Sequence, residues 1–144
     1  ELQQRAKVDP ALARDLADLA EGSLGAALAL AQDEETVASW RWLGTTLREP
    51  SLAGAVRLAG GLVERAQAAG GNPAAKRQTA LRLLDQVALR VRRGLREGLP
   101  PRAGAGALAA LLRAGEQIAA NVRLELVLHA AALDLVAAMK KGAS

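Results

Sequence analysis

The sequence predicts an all-α protein, a bundle of four to five helices preceded by a short helical fragment. Ala and Leu, both strong helix formers, occupy 34 and 26 of the 144 positions. Tyr and Phe are absent, and the β-branched residues that favour strands are few and scattered. Apolar residues recur at spacings of three and four, which is the period of an amphipathic helix. Together these observations favour packed helices over a sheet.

The first third of the chain predicts three short helices. Asp9 and Pro10 start the first, because Asp caps a helix and Pro fits its first position. A second helix is predicted at about 24–31 and a third at about 34–47, and Pro50 ends the third because the residue before a proline leaves helical geometry. The inward-facing positions predicted for the third helix are Val37, Trp40 or Leu43, and Leu47.

Longer helices follow. Ser51 is the predicted N-cap of a helix that ends near residue 69, before the loop 70–73, whose sequence is Gly-Gly-Asn-Pro. The next helix is predicted at about 74–96. The buried stripe predicted for the first of these helices consists of Leu52, Val56, Ala59, Leu62, Val63 and Ala66.

The last segment predicts two helices, at about 105–120 and 124–139, joined by a turn. Asn121 is expected to close the first of them in the left-handed conformation, which Asn tolerates better than most residues. The predicted organisation is therefore a small helical piece, a linking helix and a bundle that begins after Pro50.

Positive charge is concentrated in one segment. The net charge is +4, and residues 73–102 alone contribute +6. Such a patch suits phosphates or an acidic partner surface, although the same arginines also suit a solvated helix face. No aromatic residue is interleaved to stack on bases. The candidate partner-facing or DNA-facing residues are Lys76, Arg77, Arg90, Arg92, Arg93 and Arg96.

Residues that carry chemistry are sparse. Cysteine is absent, and His129, the one histidine, follows Glu125 by four residues, a spacing that predicts a surface pair on one helix face. A zinc site therefore lacks ligands, and no phosphate-binding loop is present. We expect no catalytic residues, no metal, no cofactor and no small-molecule substrate. No apolar run is long enough to predict a membrane span.

A Gly-Ser corner joins the first two helices. Gly22 can end one helix in left-handed geometry, and Ser23 can cap the next. The free N–H groups of the sequence Gly-Ser-Leu-Gly-Ala could face a phosphate, but a simple turn between helices explains the same residues.

Two stretches resemble a known family. Residues 16–30, LADLAEGSLGAALAL, resemble the lid domain of bacterial DNA polymerase III clamp-loader subunits. Residues 107–128, ALAALLRAGEQIAANVRLELVL, resemble the C-terminal collar helices of the same proteins. The two stretches occur in the expected order at a plausible separation, and within the family the delta-prime subunit is the most similar.

The resemblance implies a specific architecture. Such subunits have an ATPase-type domain, a helical lid and a helical collar that joins five subunits into a ring. Residues 1–32 would be the C-terminal part of the lid, 33–50 a linking helix and 51–144 the collar bundle. The chain begins at Glu1 without Met, so we expect it to be a piece of a longer protein. The absence of cysteine fits a reducing compartment, and the resemblance implies a cytoplasmic one.

The resemblance also implies a non-catalytic role. In the ATP-hydrolysing subunits an Arg follows Gly-Ser-x-x and reads the nucleotide phosphates. Here Gly25 and Ala26 occupy that corner, so the nucleotide-sensing position is lost at Ala26. The expected partners are the other subunits of a hetero-oligomeric ring, with DNA contact indirect or weak and no membrane contact. A basic nucleic-acid-binding domain and a generic helical interaction module remain alternative interpretations.

Overall fold

The computed structural model describes residues 10–19, 33–47 and 51–143. Helices take up 87% of these residues and strands none, so the predicted all-α fold class is confirmed. The helices of the described ranges are α1 (Pro10–Leu19), α2 (Glu34–Thr46), α3 (Leu52–Ala68), α4 (Pro73–Arg96), α5 (Pro101–Ala119) and α6 (Leu124–Ala143).

The chain divides into two compact units, residues 1–42 and 43–144, and the division lies inside α2. It therefore falls within the predicted linking helix 33–50. The helix predicted at 24–31 lies outside the described residues, and so does the Gly-Ser corner. The corner positions concerned are Gly22, Ser23, Gly25 and Ala26.

Residues of α1 and α2 form the described part of the first unit. Leu16 is fully buried on α1, and Trp40 is 2% exposed on α2. The indole Nε1–H of Trp40 donates a hydrogen bond to Oδ2 of Asp15 on α1. Asp33 precedes α2, and its carboxylate accepts hydrogen bonds from the backbone N–H of Glu35 and the hydroxyl of Thr36. This side-chain cap explains why α2 begins where the sequence predicts it.

The second unit contains a four-helix bundle built from α3 to α6. The helices pack in the cyclic order α3–α4–α5–α6, and α6 closes the ring against α3. The α3/α6 side of the bundle is therefore opposite the α4/α5 side. The shared interior is lined by Leu58, Leu62, Leu84, Val87, Leu111, Ala131, Ala132 and Leu135.

Three predicted helix boundaries are confirmed by local geometry. The Ser51 hydroxyl accepts the backbone N–H of Gly54 at 2.9 Å, and the Asn72 side-chain oxygen accepts that of Ala75 at the same distance. Asn121 has a φ of 62°, the left-handed conformation expected at the end of α5. These residues satisfy backbone groups that a helix end leaves without an internal partner.

The stripe predicted to be buried on α3 is partly wrong. Leu52 is 68% exposed and Val56 62% exposed, whereas Ala55 and Leu58 face the interior. Both pairs lie on regular three-to-four spacings, because α3 has apolar residues around most of its circumference. Periodicity alone therefore could not determine which face packs against the other helices.

Two glycines inside helices should respond oppositely to alanine. At Gly106 a Cβ atom would lie 2.9 Å from Cβ of Ala138 on α6, whereas at Gly60 no atom lies within 4 Å. Both substitutions gain helix propensity of about 1 kcal/mol. Only Gly106→Ala adds overpacking, which costs about 1–3 kcal/mol. In thermal unfolding we expect Gly60→Ala to raise Tm and Gly106→Ala to lower it, and an equal rise in both would contradict this packing.

Candidate functional site

Helix α6 has apolar residues on two opposite faces. One face is buried in the bundle and consists of Val127, Leu128, Ala131, Ala132, Leu135 and Val136. The other face is solvent-exposed and carries Leu126, Ala130, Leu133 and Ala137, which we call the outer stripe. These four residues follow spacings of four, three and four, so they align along one side of the helix.

The outer stripe exposes large side chains. Leu126 is 62% exposed and Leu133 47% exposed. Leu52 and Val56 add exposed apolar surface on α3, the helix that packs beside α6. A helix with apolar stripes on two opposite sides packs one of them in its own bundle and leaves the other available to a partner. The outer stripe is therefore a candidate protein-interaction surface.

A second apolar surface lies between α4 and α5. It is an open groove of about 520 Å³, which we call the α4/α5 groove. Leu112, 66% exposed, stands on its α5 wall. The residues that line the groove are Leu81, Leu84, Asp85, Ala88 and Arg92 on α4, and Leu108, Leu111, Leu112, Gly115, Glu116 and Ala119 on α5.

The groove has an acidic end and a basic end. Asp85 is exposed, but partial desolvation at the groove raises its pKa above the ordinary value, and the nearby Arg92 guanidinium partly opposes that rise. Arg92 lies seven residues beyond Asp85, about 10 Å along the helix. Because α4 and α5 are consecutive and antiparallel, Glu116 on α5 lies at the same end of the groove as Asp85 on α4. A cationic group at that end would offset the cost of holding Asp85 charged.

The basic residues predicted as one patch are spread over the length of α4. Lys76 and Arg77 are half-buried in its first turns, and Arg96, exposed, is in its last turn. Nineteen helical residues separate Arg77 from Arg96, about 28 Å. Arg92 lines the groove, and Arg93 lies half-buried one residue further on. The structure therefore brings together only the part of the predicted patch near the end of α4.

Arg90 has a different environment from the other arginines. It is half-buried, and its guanidinium occupies the space beside Gly44, where a Cβ atom would lie only 2.9 Å from its terminal nitrogen. Burial lowers the pKa of Arg90 from its ordinary value. The guanidinium borders a cavity of about 200 Å³ that is lined by Gly44, Leu47, Arg90, Val91, Gly94, Leu99 and Met139. Arg90 thus packs inside the second unit and is not part of an exposed basic surface.

The predicted pair on α6 does not form as a side-chain contact. Nδ1 of His129 lies 2.8 Å from the backbone carbonyl oxygen of Glu125, and both residues are exposed. The Glu125 carboxylate is instead 4.0 Å from the Arg123 guanidinium. Asn121 occupies the turn before α6, where the sequence predicts it.

Sequence reasoning did not locate the two apolar surfaces. The leucines of the α4/α5 groove share the spacing of the buried residues, so periodicity does not separate the two sets. A signal was present in α6, where leucine and alanine recur at spacings of three and four on two opposite sides, between polar residues such as Glu125 and Asp134. Such a helix indicates two covered faces when the pattern is followed around the full turn.

Within the described ranges, no group of three or more His, Cys, Asp or Glu residues is placed to hold a metal ion. None of the helices described here combines the length and apolarity needed to cross a bilayer. Comparison with protein-family models, curated protein sequences and solved structures finds no significant match. The function is therefore argued from the sequence motifs and the two surfaces.

Proposed function

We propose that this chain is the C-terminal part of a non-catalytic subunit of a bacterial replicative clamp loader, similar to the delta-prime subunit. Its bundle binds neighbouring subunits of a hetero-oligomeric ring, and the ring loads the sliding clamp onto DNA in the cytoplasm. DNA contact by this chain is indirect or weak. The chain holds no nucleotide and acts by positioning the subunits beside it.

The outer stripe of α6 is the observation that carries this proposal. A collar helix must pack against its own bundle on one side and against a neighbouring subunit on the other. Leu126 and Leu133 provide apolar surface opposite the buried face of the same helix. Large exposed apolar side chains in a regular series are typical of association surfaces. The left-handed turn at Asn121 also lies where the resemblance expects the collar turn.

The non-catalytic part of the proposal rests on the lid corner of the sequence. Ala26 stands where the ATP-hydrolysing subunits have a phosphate-reading Arg. A planar guanidinium can bridge phosphate oxygens and stabilise the charge that develops during transfer, whereas a methyl group cannot.

Co-elution with the other clamp-loader subunits of the same organism tests the proposal. We expect the chain to migrate with them in size exclusion at about 10 µM, in the range of an ordinary protein interface. Leu126→Asp combined with Leu133→Asp should weaken this association at least about tenfold, because each substitution places an unpaired carboxylate in an apolar interface that association would desolvate.

Val122→Asp is the matched control. Val122 is 43% exposed but lies in the turn before α6, outside the outer stripe. It therefore introduces a charge at a similarly exposed apolar site, and it should leave co-elution unchanged. Failure of the unsubstituted chain to co-elute at about 50 µM, well above typical interface dissociation constants, would reject the proposed function.

A further inference from the structure

The outer stripe and the α4/α5 groove lie on different sides of one bundle. The stripe belongs to α6, on the α3/α6 side, and the groove belongs to the opposite side. One surface is a convex row of leucine and alanine side chains, and the other is a concave channel lined mainly by leucine, alanine and glycine. The stripe of one molecule therefore has a shape and a polarity that suit the groove of another.

Charged residues border both surfaces at the same spacing. On α4, Asp85 and Arg92 border the groove seven residues apart. On α6, Asp134 and Lys141 flank the outer stripe, also seven residues apart and both exposed. Seven residues correspond to about 10 Å on either helix. Each pair consists of an acid followed by a base, so the two pairs are complementary when the helices run in opposite directions.

The handedness of the helices agrees with this antiparallel arrangement. When the outer stripe of a second copy faces the groove antiparallel to α4, the right-handed turn of α6 places Asp134 and Lys141 on the α4 side. Asp134 then lies at the level of Arg92, and Lys141 at the level of Asp85. The opposite edge of the stripe carries Lys140, which faces the α5 wall.

The α5 wall supplies a third complementary charge. Glu116 lies at the acidic end of the groove. In the antiparallel arrangement Lys140 reaches this end together with Lys141, so two cations meet Asp85 and Glu116. Within its own chain Asp134 is 3.8 Å from Arg113, but both side chains are more than half exposed and such a pair is weak. The Asp134 carboxylate can therefore approach a second cation.

We propose that, in the absence of the other ring subunits, copies of this chain associate head to tail, with the outer stripe of α6 from one copy seated in the α4/α5 groove of the next. This contact uses the stripe that the proposed function assigns to a neighbouring subunit, so self-association and subunit binding compete for one surface. Leu133 and Ala137 fill the apolar floor between the charged pairs. An open assembly keeps one stripe unoccupied at one end and one groove unoccupied at the other. The contact is heterologous, so assembly continues beyond a dimer unless the rotation closes a ring.

Sedimentation of the full chain over rising concentration tests this association. We expect the weight-average molar mass to rise with concentration beyond that of a dimer, because each added copy offers a new groove or stripe. Leu133→Asp should prevent binding through the stripe, and Leu112→Asp should prevent binding through the groove. Both positions are exposed, so the fold should be retained, which circular dichroism can verify. Each variant alone should sediment as a monomer.

Mixing the two variants separates a head-to-tail contact from a symmetric one. The Leu133→Asp chain still offers a groove and the Leu112→Asp chain still offers a stripe. An equimolar mixture should therefore form a dimer that cannot extend. A monomeric mixture would overturn the proposal, as would a dimer that survives Leu112→Asp alone but not Leu133→Asp, which indicates stripe-to-stripe contact.

The dimer formed by the Leu133→Asp and Leu112→Asp chains also tests which charged residues face each other across the contact. Asp85→Lys in the groove-bearing chain should weaken the dimer at least about tenfold, because it places like charges together. Asp85→Lys therefore raises log Kd of the dimer. Adding Lys141→Asp in the stripe-bearing chain should reverse at least half of that increase. No recovery would reject the antiparallel register. These measurements use only this chain, so their failure is distinct from a failure to co-elute with clamp-loader subunits.

Discussion

Leu128→Ala is expected to lower the free energy of unfolding of the bundle by about 2–5 kcal/mol. Leu128 is fully buried on α6, the helix that packs against both α3 and α5. The substitution removes apolar atoms from the interior and leaves a cavity that packed neighbours fill only in part. Since domains of this size are stable by about 5–15 kcal/mol, the loss should be visible as a lower Tm and a lower denaturant midpoint.

Leu126→Ala is the matched control for this loss. It makes the same chemical change two residues earlier on the same helix, at a side chain that is 62% exposed. Its effect on the free energy of unfolding should lie within about 0.5 kcal/mol. Equal destabilisation by the two substitutions at a concentration where the chain is monomeric would contradict the assignment of the buried and outer faces of α6.

The positions of the helices were accessible from the sequence because local signals define helix ends. Ser51, Asn72 and Asn121 act through their own side chains or backbone angles on residues immediately beside them. Such effects do not depend on the rest of the fold, so capping rules predicted Ser51 and Asn121, and the same rules account for Asn72 in the loop 70–73. Two bounds differ from the prediction: α5 begins at Pro101, four residues before the predicted start, because proline fits the first helical position, and α6 continues to Ala143, four residues past the predicted end.

The local sequence could not predict which face of each helix is buried. Leu52 and Leu58 have the same side chain and both fit a helical period, yet only Leu58 is buried. Which of them faces inward is determined by the position of the neighbouring helices, a property of tertiary packing. In a chain this rich in Ala and Leu, apolar periodicity exists on several faces at once.

The two candidate surfaces could not be predicted from the sequence either, because they also depend on how neighbouring helices are placed. The α4/α5 groove exists because residues about thirty positions apart, such as Asp85 and Glu116, line one channel. The sequence places positive charge on one segment, but the structure divides it among the ends of α4 and the packed Arg90. Net charge per segment predicts the sign of a surface only when the residues share a helix face.

Trp40→Ala is expected to be the most damaging single change in the first unit, lowering its free energy of unfolding by about 3–5 kcal/mol. Trp40 is 2% exposed, and its indole N–H donates to the carboxylate of Asp15, which is 7% exposed. Truncation therefore removes both the buried ring and a donor to a buried charged group. Trp42 remains as the single tryptophan, so its fluorescence during urea unfolding reports the loss.

Trp40→Phe separates the two contributions. Phenylalanine keeps an aromatic ring in the interior but has no N–H to donate to Asp15. A buried acceptor that loses its donor costs about 1–3 kcal/mol, so this variant should be intermediate between the unsubstituted chain and Trp40→Ala. Unchanged stability in Trp40→Phe would mean that ring packing alone accounts for the effect, and the hydrogen bond between α1 and α2 would then contribute nothing to holding the first unit together.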